Sequence, residues 1–261
     1  MTGRSRARDR SRPAGGAPVS FIPWIDLGGQ WWDGASGATG SPVSAWAARA
    51  PSTAVALQAT GANQPSAPAA VASLKNQLAL GFVGTSDIMV SDTAIALPTF
   101  TMCTVVRLGT LKNYVGIFRL APTETTGGAG SWCLYSKADG SLEYGSGSLS
   151  WFRSSSSTGN LASNGAYAIL MTCDGTSAGT VVQIGTITAG SISWATAAFG
   201  AVGGSFAAPS GTNYLQPGGS YNSAPTSRLV GDLALYGARA GVISGAQETA
   251  LKNYLQSRFA P

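Results

Sequence analysis

The stretch from Leu229 to Phe259 most constrains what this chain can fold into. Leu229–Tyr236 (LVGDLALY) reads as an apolar strand, and Ser244–Phe259 (SGAQETALKNYLQSRF) as the one convincing helix in 261 residues. Ser244 and Gln247 have the spacing of a capping box, which satisfies N–H groups that a helix start would otherwise orphan. Leu251, Tyr254, Leu255 and Phe259 recur at spacings of three and four, so they form a single apolar stripe. A β-rich chain with one such helix after a core strand calls for a sheet that the helix can cover.

The rest of the chain has the composition of a sandwich. Charged residues make up 10% of it, and there are 35 glycines. That mix supplies many turns and a surface made polar by hydroxyls, whereas a helical bundle would need far more Leu, Glu and Lys. The net charge is +5. Arg4, Arg6, Arg8, Arg10 and Arg12 against Asp9 account for +4 of it, leaving 11 basic and 10 acidic residues elsewhere. The basic character therefore belongs to an N-terminal arm, residues 1–18, and the body lacks the basic face of a nucleic-acid binder. The alternating arginines would lie on one side of an extended arm, a geometry suited to an acidic groove or a neighbouring subunit. Five arginines could neutralise only a few phosphates, so genome binding would be weak and salt-sensitive, and nucleic acid is not the expected partner.

Short apolar runs punctuated by Gly and Pro continue from Phe21. Strands are predicted at Ala54–Leu57, Leu78–Phe82, from Ile88 and at Phe100–Arg107. Two hairpins are predicted: Trp132–Ser136 with Ser141–Tyr144 about Asp139-Gly140, and Ala168–Cys173 with Thr180–Gly185 about Asp174-Gly175. Gln58–Ala70, Ser154–Ser157 and Gly200–Ser220 read as loops. This is the pattern of an all-β, antiparallel two-sheet sandwich spanning residues 19–261 as one domain, with one short C-terminal helix. Cys103, Cys133 and Cys173, odd in number and far apart, are expected to be buried free thiols in a reducing compartment, with an intersubunit disulfide as the alternative. No apolar stretch approaches membrane-spanning length, and no apolar region follows the N-terminal arginines as in a secretory signal.

Several segments resemble, in order, those of concanavalin A-like (laminin G-like) lectin/glucanase domains. GDLALY, Ile243-Ser244, Glu248 and YLQSRF are similar to that family's closing strand and helix. Pro23-Trp24-Ile25-Asp26 resembles its opening strand, Val43-Ser44-Ala45-Trp46 its V-x-x-W, and Gln58-Ala59-Thr60 with Gln64-Pro65 its Q-x-T…R-P. Leu80–Ile88 and Leu170–Gly175 resemble two further strand motifs. Val83 stands where the family usually has Asp, and Gln183-Ile184-Gly185 replaces its V-N-G hairpin. The resemblance implies a two-sheet jelly roll and, for most members, glycan or protein binding.

Catalytic chemistry is not expected from these residues. The chain has no histidine, which removes Ser-His-Asp, Cys-His and histidine-dependent lyase arrangements. Among the family's glucanases the resemblance would imply Glu-x-Asp-x-x-Glu on one strand. Glu124, Glu143 and Glu248 have no such neighbourhood; Glu143 is expected to face solvent and Glu248 to favour the helix macrodipole. Asp87 and Asp92 with Ser86 and Ser91 could offer oxygens to Ca²⁺, but loop caps and Asx turns are the commoner role, and neither a metal nor a cofactor is expected. Candidate glycan contacts are Trp31, Trp32 and Asp33, since adjacent strand residues face opposite sides and one Trp would be exposed. Trp151 and Arg153 form a second candidate pair, and Tyr214 and Tyr221 are suited to any interface. The expected role is a non-enzymatic bacteriophage virion protein of decoration, spike or fibre type, assembled in the host cytoplasm. Its partners would be other virion proteins and copies of itself, with a host glycan as candidate ligand. The alternative is a free carbohydrate-binding module of a bacterial surface or secreted protein.

Overall fold

The computed structural model of the protein describes residues 21–34, 37–84, 87–121, 132–146, 152–156, 161–201, 209, 213–219 and 228–260. A short helix, α1 (Pro23–Asp26), precedes strands β1 (Gln30–Asp33), β2 (Ala38–Thr39), β3 (Ala45–Ala47) and β4 (Val55–Leu57). Next come β5 (Ser66–Val71), β6 (Gln77–Val83), β7 (Val90–Ser91), β8 (Phe100–Leu108) and β9 (Val115–Ala121). The pair β10 (Trp132–Ser136) and β11 (Leu142–Ser146) leads to β12 (Phe152–Ser156). A meander of β13 (Ala166–Cys173), β14 (Val181–Thr188) and β15 (Ser191–Thr196) is followed by β16 (Phe199–Ala201) and β17 (Tyr214–Leu215). Last in order are β18 (Val230–Ala240) and helix α2 (Gly245–Phe259).

Three antiparallel sheets result. The largest has eight strands in the order β15-β14-β13-β8-β18-β6-β5, with β1 also on β18; a second has six, β16-β12-β11-β10-β9-β17; a third has four, β2-β3-β4-β7. β18 shares one edge between two partners: Val230–Leu233 pair with β6, and Leu235–Ala238 pair with β1. This is the expected all-β sandwich with one short helix after the last strand.

Period-two alternation creates two cores. Along β8, Phe100, Met102, Val106 and Leu108 face the core between the sheets, while Cys103 and Val105 face the layer under α2. β13 repeats this, with Tyr167, Ile169, Met171 and Cys173 inward and Ala166, Ala168 and Leu170 towards the helix. On β18 the register against β8 slips between Leu233 and Leu235. The extra residue of this bulge turns both Ala234 and Leu235 to the helix side, while Leu233 and Tyr236 stay in the sandwich core. The Tyr236 hydroxyl crosses that core to accept from Arg119 N (3.1 Å) and donate to Arg119 O (3.3 Å), tying β18 to β9.

α2 covers the outer face of the large sheet. Gln247 N donates to Ser244 Oγ (3.3 Å) and Ser244 N to Gln247 Oε1 (3.0 Å), which completes the capping box. Leu251, Leu255 and Phe259 are fully buried, and Tyr254 packs at the edge of the same layer. Both predicted Asp-Gly turns are present, with φ of +83° at Gly140 and +94° at Gly175. Four expectations are corrected, the first being that Gly200–Ser220 is all loop: it begins within β16 and contains β17. Pro23–Asp26 is a helical turn started by Pro23, not an opening strand. The predicted loop at Gln58–Ala70 contains a 3₁₀ turn and most of β5, and Ser154–Ser156 belong to β12. All three cysteines are free and buried, and burial raises their thiol pKa values, that of Cys133 to about 12.

Candidate functional site

Trp31 and Trp32 do face opposite sides, but both are fully buried, so the expectation of an exposed Trp is corrected. Around β1 the large sheet is covered on both faces. Trp32 packs beside Tyr236 in the sandwich core, with ring centroids 6.3 Å apart. Trp31 lies under α2 and donates its Nε1–H to Gly28 O at 2.7 Å. Asp33, 1% exposed, receives Arg258 Nη2 on both oxygens (2.7 Å each) and Arg49 Nη2 on Oδ2 (2.7 Å). Arg49 lies 5.0 Å from the Trp24 ring, and Trp24 meets Tyr254 edge-on at 6.1 Å. These residues lock α1, β1 and the end of α2 together. They are building material, not a ligand surface.

The polar cluster with the geometry of a site is on the other sheet. The Asp139-Gly140 turn sets the register of β10 on β11: Asp139 Oδ1 accepts from Ser141 N (3.0 Å) and Oγ (2.7 Å). Those bonds lower the Asp139 pKa. In this register Tyr135 faces Glu143 across the hairpin. The Tyr135 hydroxyl donates to Glu143 Oε2, and Lys137 Nζ lies 3.2 Å from Oε1. The expectation that Glu143 faces solvent is therefore corrected: it is 4% exposed. The Tyr114 ring packs on Tyr135 at 5.5 Å.

Buried Arg119 stands opposite Cys133, which stands opposite Gly145, which stands opposite Arg153. The four positions make one line across β9, β10, β11 and β12. The neighbouring line runs through Tyr135, Glu143, Ser155 and Gly200. Sequence reasoning named Arg153 but missed Arg119, Tyr135 and Lys137. The available signal was the Asp-Gly turn, which fixes cross-strand pairs at once. Tyr135, Glu143 and Arg119 are buried, so the groups of this cluster that a polyhydroxylated ligand can reach are the half-buried Lys137 ammonium and Tyr114 ring. A hydroxyl donating to a carboxylate is also the connectivity by which a base activates a nucleophile.

The other candidates are placed as follows. Arg4, Arg6, Arg8, Arg10, Arg12, Trp151, Tyr221, Glu124 and Ser86 lie outside the described residues, and Arg153 is placed by its backbone alone. Tyr214 is half-buried in β17. Asp87 Oδ2 accepts from Val83 N (2.6 Å), and Asp92 Oδ1 accepts from Val55 N (2.8 Å). Ser91 Oγ donates to Thr93 O at 2.9 Å. Glu248 accepts from Gln183 (3.0 Å) and Lys252 (2.7 Å). Among the described residues no helix is long and apolar enough to cross a membrane.

No protein-family model matches the chain, and no curated protein matches it. Solved structures do share its shape. Trypanosoma rangeli sialidase in complex with sialic acid matches 87% of this chain and 32% of its own, at 14% identity and a TM-score of 0.52. An arabinofuranosidase complexed with arabinofuranosyl-α-1,2-xylobiose matches 84% of this chain and 51% of its own, at 14% identity and a TM-score of 0.52. The enzymatically active domain of tailspike protein 2 from bacteriophage CBA120 matches 74% of this chain and 30% of its own, at 15% identity and a TM-score of 0.50. The chain thus spans from under a third to about half of those proteins. The expectation of a chain without enzymatic activity is overturned as a reading of the fold, because these neighbours are a sialidase, an arabinofuranosidase and an enzymatically active tailspike domain. Missing histidine and a missing Glu-x-Asp-x-x-Glu run do not exclude catalysis here. What the likenesses establish is the fold: a β-sandwich of the kind carried by these three proteins.

Proposed function

We propose that this chain is a concanavalin A-like carbohydrate-binding sandwich of a bacteriophage virion protein, joined to its particle by residues 1–18. The observation that carries the reading is that half-buried Lys137 and Tyr114 stand together on the six-stranded sheet, held by buried Glu143 and Tyr135. They offer a donor and an aromatic ring side by side, as recognition of a sugar requires. Arg153 stands at a register position in line with Arg119. The likeness to a tailspike domain supports the virion setting. In the arm, Arg4, Arg6, Arg8, Arg10 and Arg12 contact other virion proteins or further copies of this chain.

A glycan array probed with the full chain tests the binding role. Tyr114→Ala, Lys137→Ala and Arg153→Ala should each weaken a positive glycan signal, while Lys252→Ala, on α2, should not. An array without any signal, or one unchanged by all three variants, removes the binding reading. Deleting residues 1–18 should leave a folded sandwich that no longer enters particles. Normal incorporation of the truncated protein would refute the arm's role and favour a free carbohydrate-binding module.

A further inference from the structure

The geometry points to a second ligand site, on the opposite side of the sandwich, built for adjacent hydroxyls of a neutral sugar. The outer face of the large sheet carries one row of register-aligned positions: Ser66, Gly81, Asp232, Arg107 and Ala166. Two adjoining concavities of about 460 and 490 Å³ lie along this row, and Arg107, Asn164 and Asp232 line both. Together they form one groove, each half within the roughly 300–1,000 Å³ of small-molecule sites.

At its centre Arg107 Nε donates to Asp232 Oδ2 at 2.5 Å. That is the one side-chain hydrogen bond either group makes among the described residues. Both Nη groups of Arg107 and Oδ1 of Asp232 are thus left to a ligand, side by side and held in place by their own pairing. The side chains are 34% and 20% exposed, accessible yet partly desolvated. The floor is close and bare: a Cβ on Gly81 would lie 2.4 Å from Ser66 Oγ and 3.6 Å from Asp232 Oδ1. One further polar group lines both halves: Asn164, at φ +63°, has a side-chain amide with no hydrogen bond among the described residues.

Charge selects the ligand class. Among the described residues, Arg107 and Asp232 are the two charged ones lining the groove, and they cancel. A carboxylate placed on Arg107 would sit beside Asp232 and be repelled, whereas a hydroxyl can accept from Nη while its neighbour donates to Oδ1.

NMR titration of the full chain tests this, with lactose and maltose as neutral probes and 3′-sialyllactose as the acidic one. A neutral disaccharide should shift the amides of Gly81, Gly109 and Gly231. Arg107→Gln and Asp232→Asn should each weaken that binding by about tenfold or more. Ala69→Trp, which fills the half of the groove bounded by β5, should abolish it at unchanged thermal midpoint. Lys137→Ala should leave these shifts intact, which separates this site from the one on the six-stranded sheet. No groove shift with either neutral sugar overturns the proposal. So does a shift seen with sialyllactose alone, or tighter binding of it by the Asp232→Asn protein.

Discussion

Asp33→Asn removes the anion on which two arginines converge. Asp33 is 1% exposed and accepts four charge-assisted bonds: two from Arg258 at 2.7 Å, and two from Arg49 at 2.7 and 3.2 Å. Removing one partner of a fully buried ion pair costs about 3–5 kcal/mol, because the other charge is stranded. The stranded arginines here are not fully buried. The Arg258 side chain is 17% exposed and that of Arg49 is 32%, so both regain some hydration. The expected loss is therefore near the lower bound, about 3 kcal/mol. At about 2–4 °C per kcal/mol for a domain of this size, that lowers the midpoint by about 6–12 °C. Urea denaturation with an unchanged m-value would read the loss directly. A double-mutant cycle with Arg49→Met and Arg258→Met should show the larger coupling to Arg258, which reaches both carboxylate oxygens and is more buried. The outcome that sinks this reasoning is a loss below about 1 kcal/mol, the scale of an exposed pair, or a coupling to Arg49 that matches the one to Arg258.

Four more outcomes are expected. Gly237→Ala puts a Cβ 2.3 Å from Cε3 of the buried Trp31 ring, which cannot move aside, so thermal denaturation should show a loss of about 1–3 kcal/mol; a neutral result would mean the layer under α2 is loosely packed. Tyr135→Phe strips a donor from buried Glu143 and should cost about 1–3 kcal/mol in urea, while Lys137 stays beside the carboxylate. Burial raises the Asp87 pKa above its ordinary 3.8, against the opposing Val83 N–H and Arg228, so its ionisation disfavours the folded state. The stability that protonated Asp87 contributes at low pH is lost as pH rises through the folded value, so Asp87→Asn should gain on the parent between pH 3 and pH 7; a gain that shrinks with rising pH reverses the sign and refutes it. The three buried thiols should resist iodoacetamide in the native protein and react fully in denaturant; rapid native labelling of Cys103 or Cys133 would contradict their burial.

Local rules reached far into this fold. Ser244 and Gln247 announced α2, and Asp139-Gly140 and Asp174-Gly175 announced two hairpins, because each signal lies within a few residues of what it controls. Trp132–Ser136 was legible to the residue for the same reason. β9 and β15 were not: nothing near Val115 or Ser191 reveals the partners that fix them. The burial of Trp31 was hidden because it depends on α2, more than two hundred residues away, covering the second face of the sheet. The same limit hid the cluster on the six-stranded sheet. Glu143 looks solvated from its neighbours in sequence, and only cross-strand pairing with Tyr135 turns it inward.

The position of β18 governs the order in which the molecule can assemble. Its partners run from Gln30 through Phe82 to Leu108, so every strand pairing it makes closes a loop of more than a hundred residues. Until the chain has been made as far as Ala240, β5 and β6 remain apart from β8, β13, β14 and β15, and the apolar flanks of both halves stay open to water. Such long closures predict slow folding, with the two half-sheets waiting as aggregation-prone fragments. A polypeptide that stops short of Val230 would leave those halves without the strand that joins them, which makes β18 a gauge of whether synthesis has run far enough.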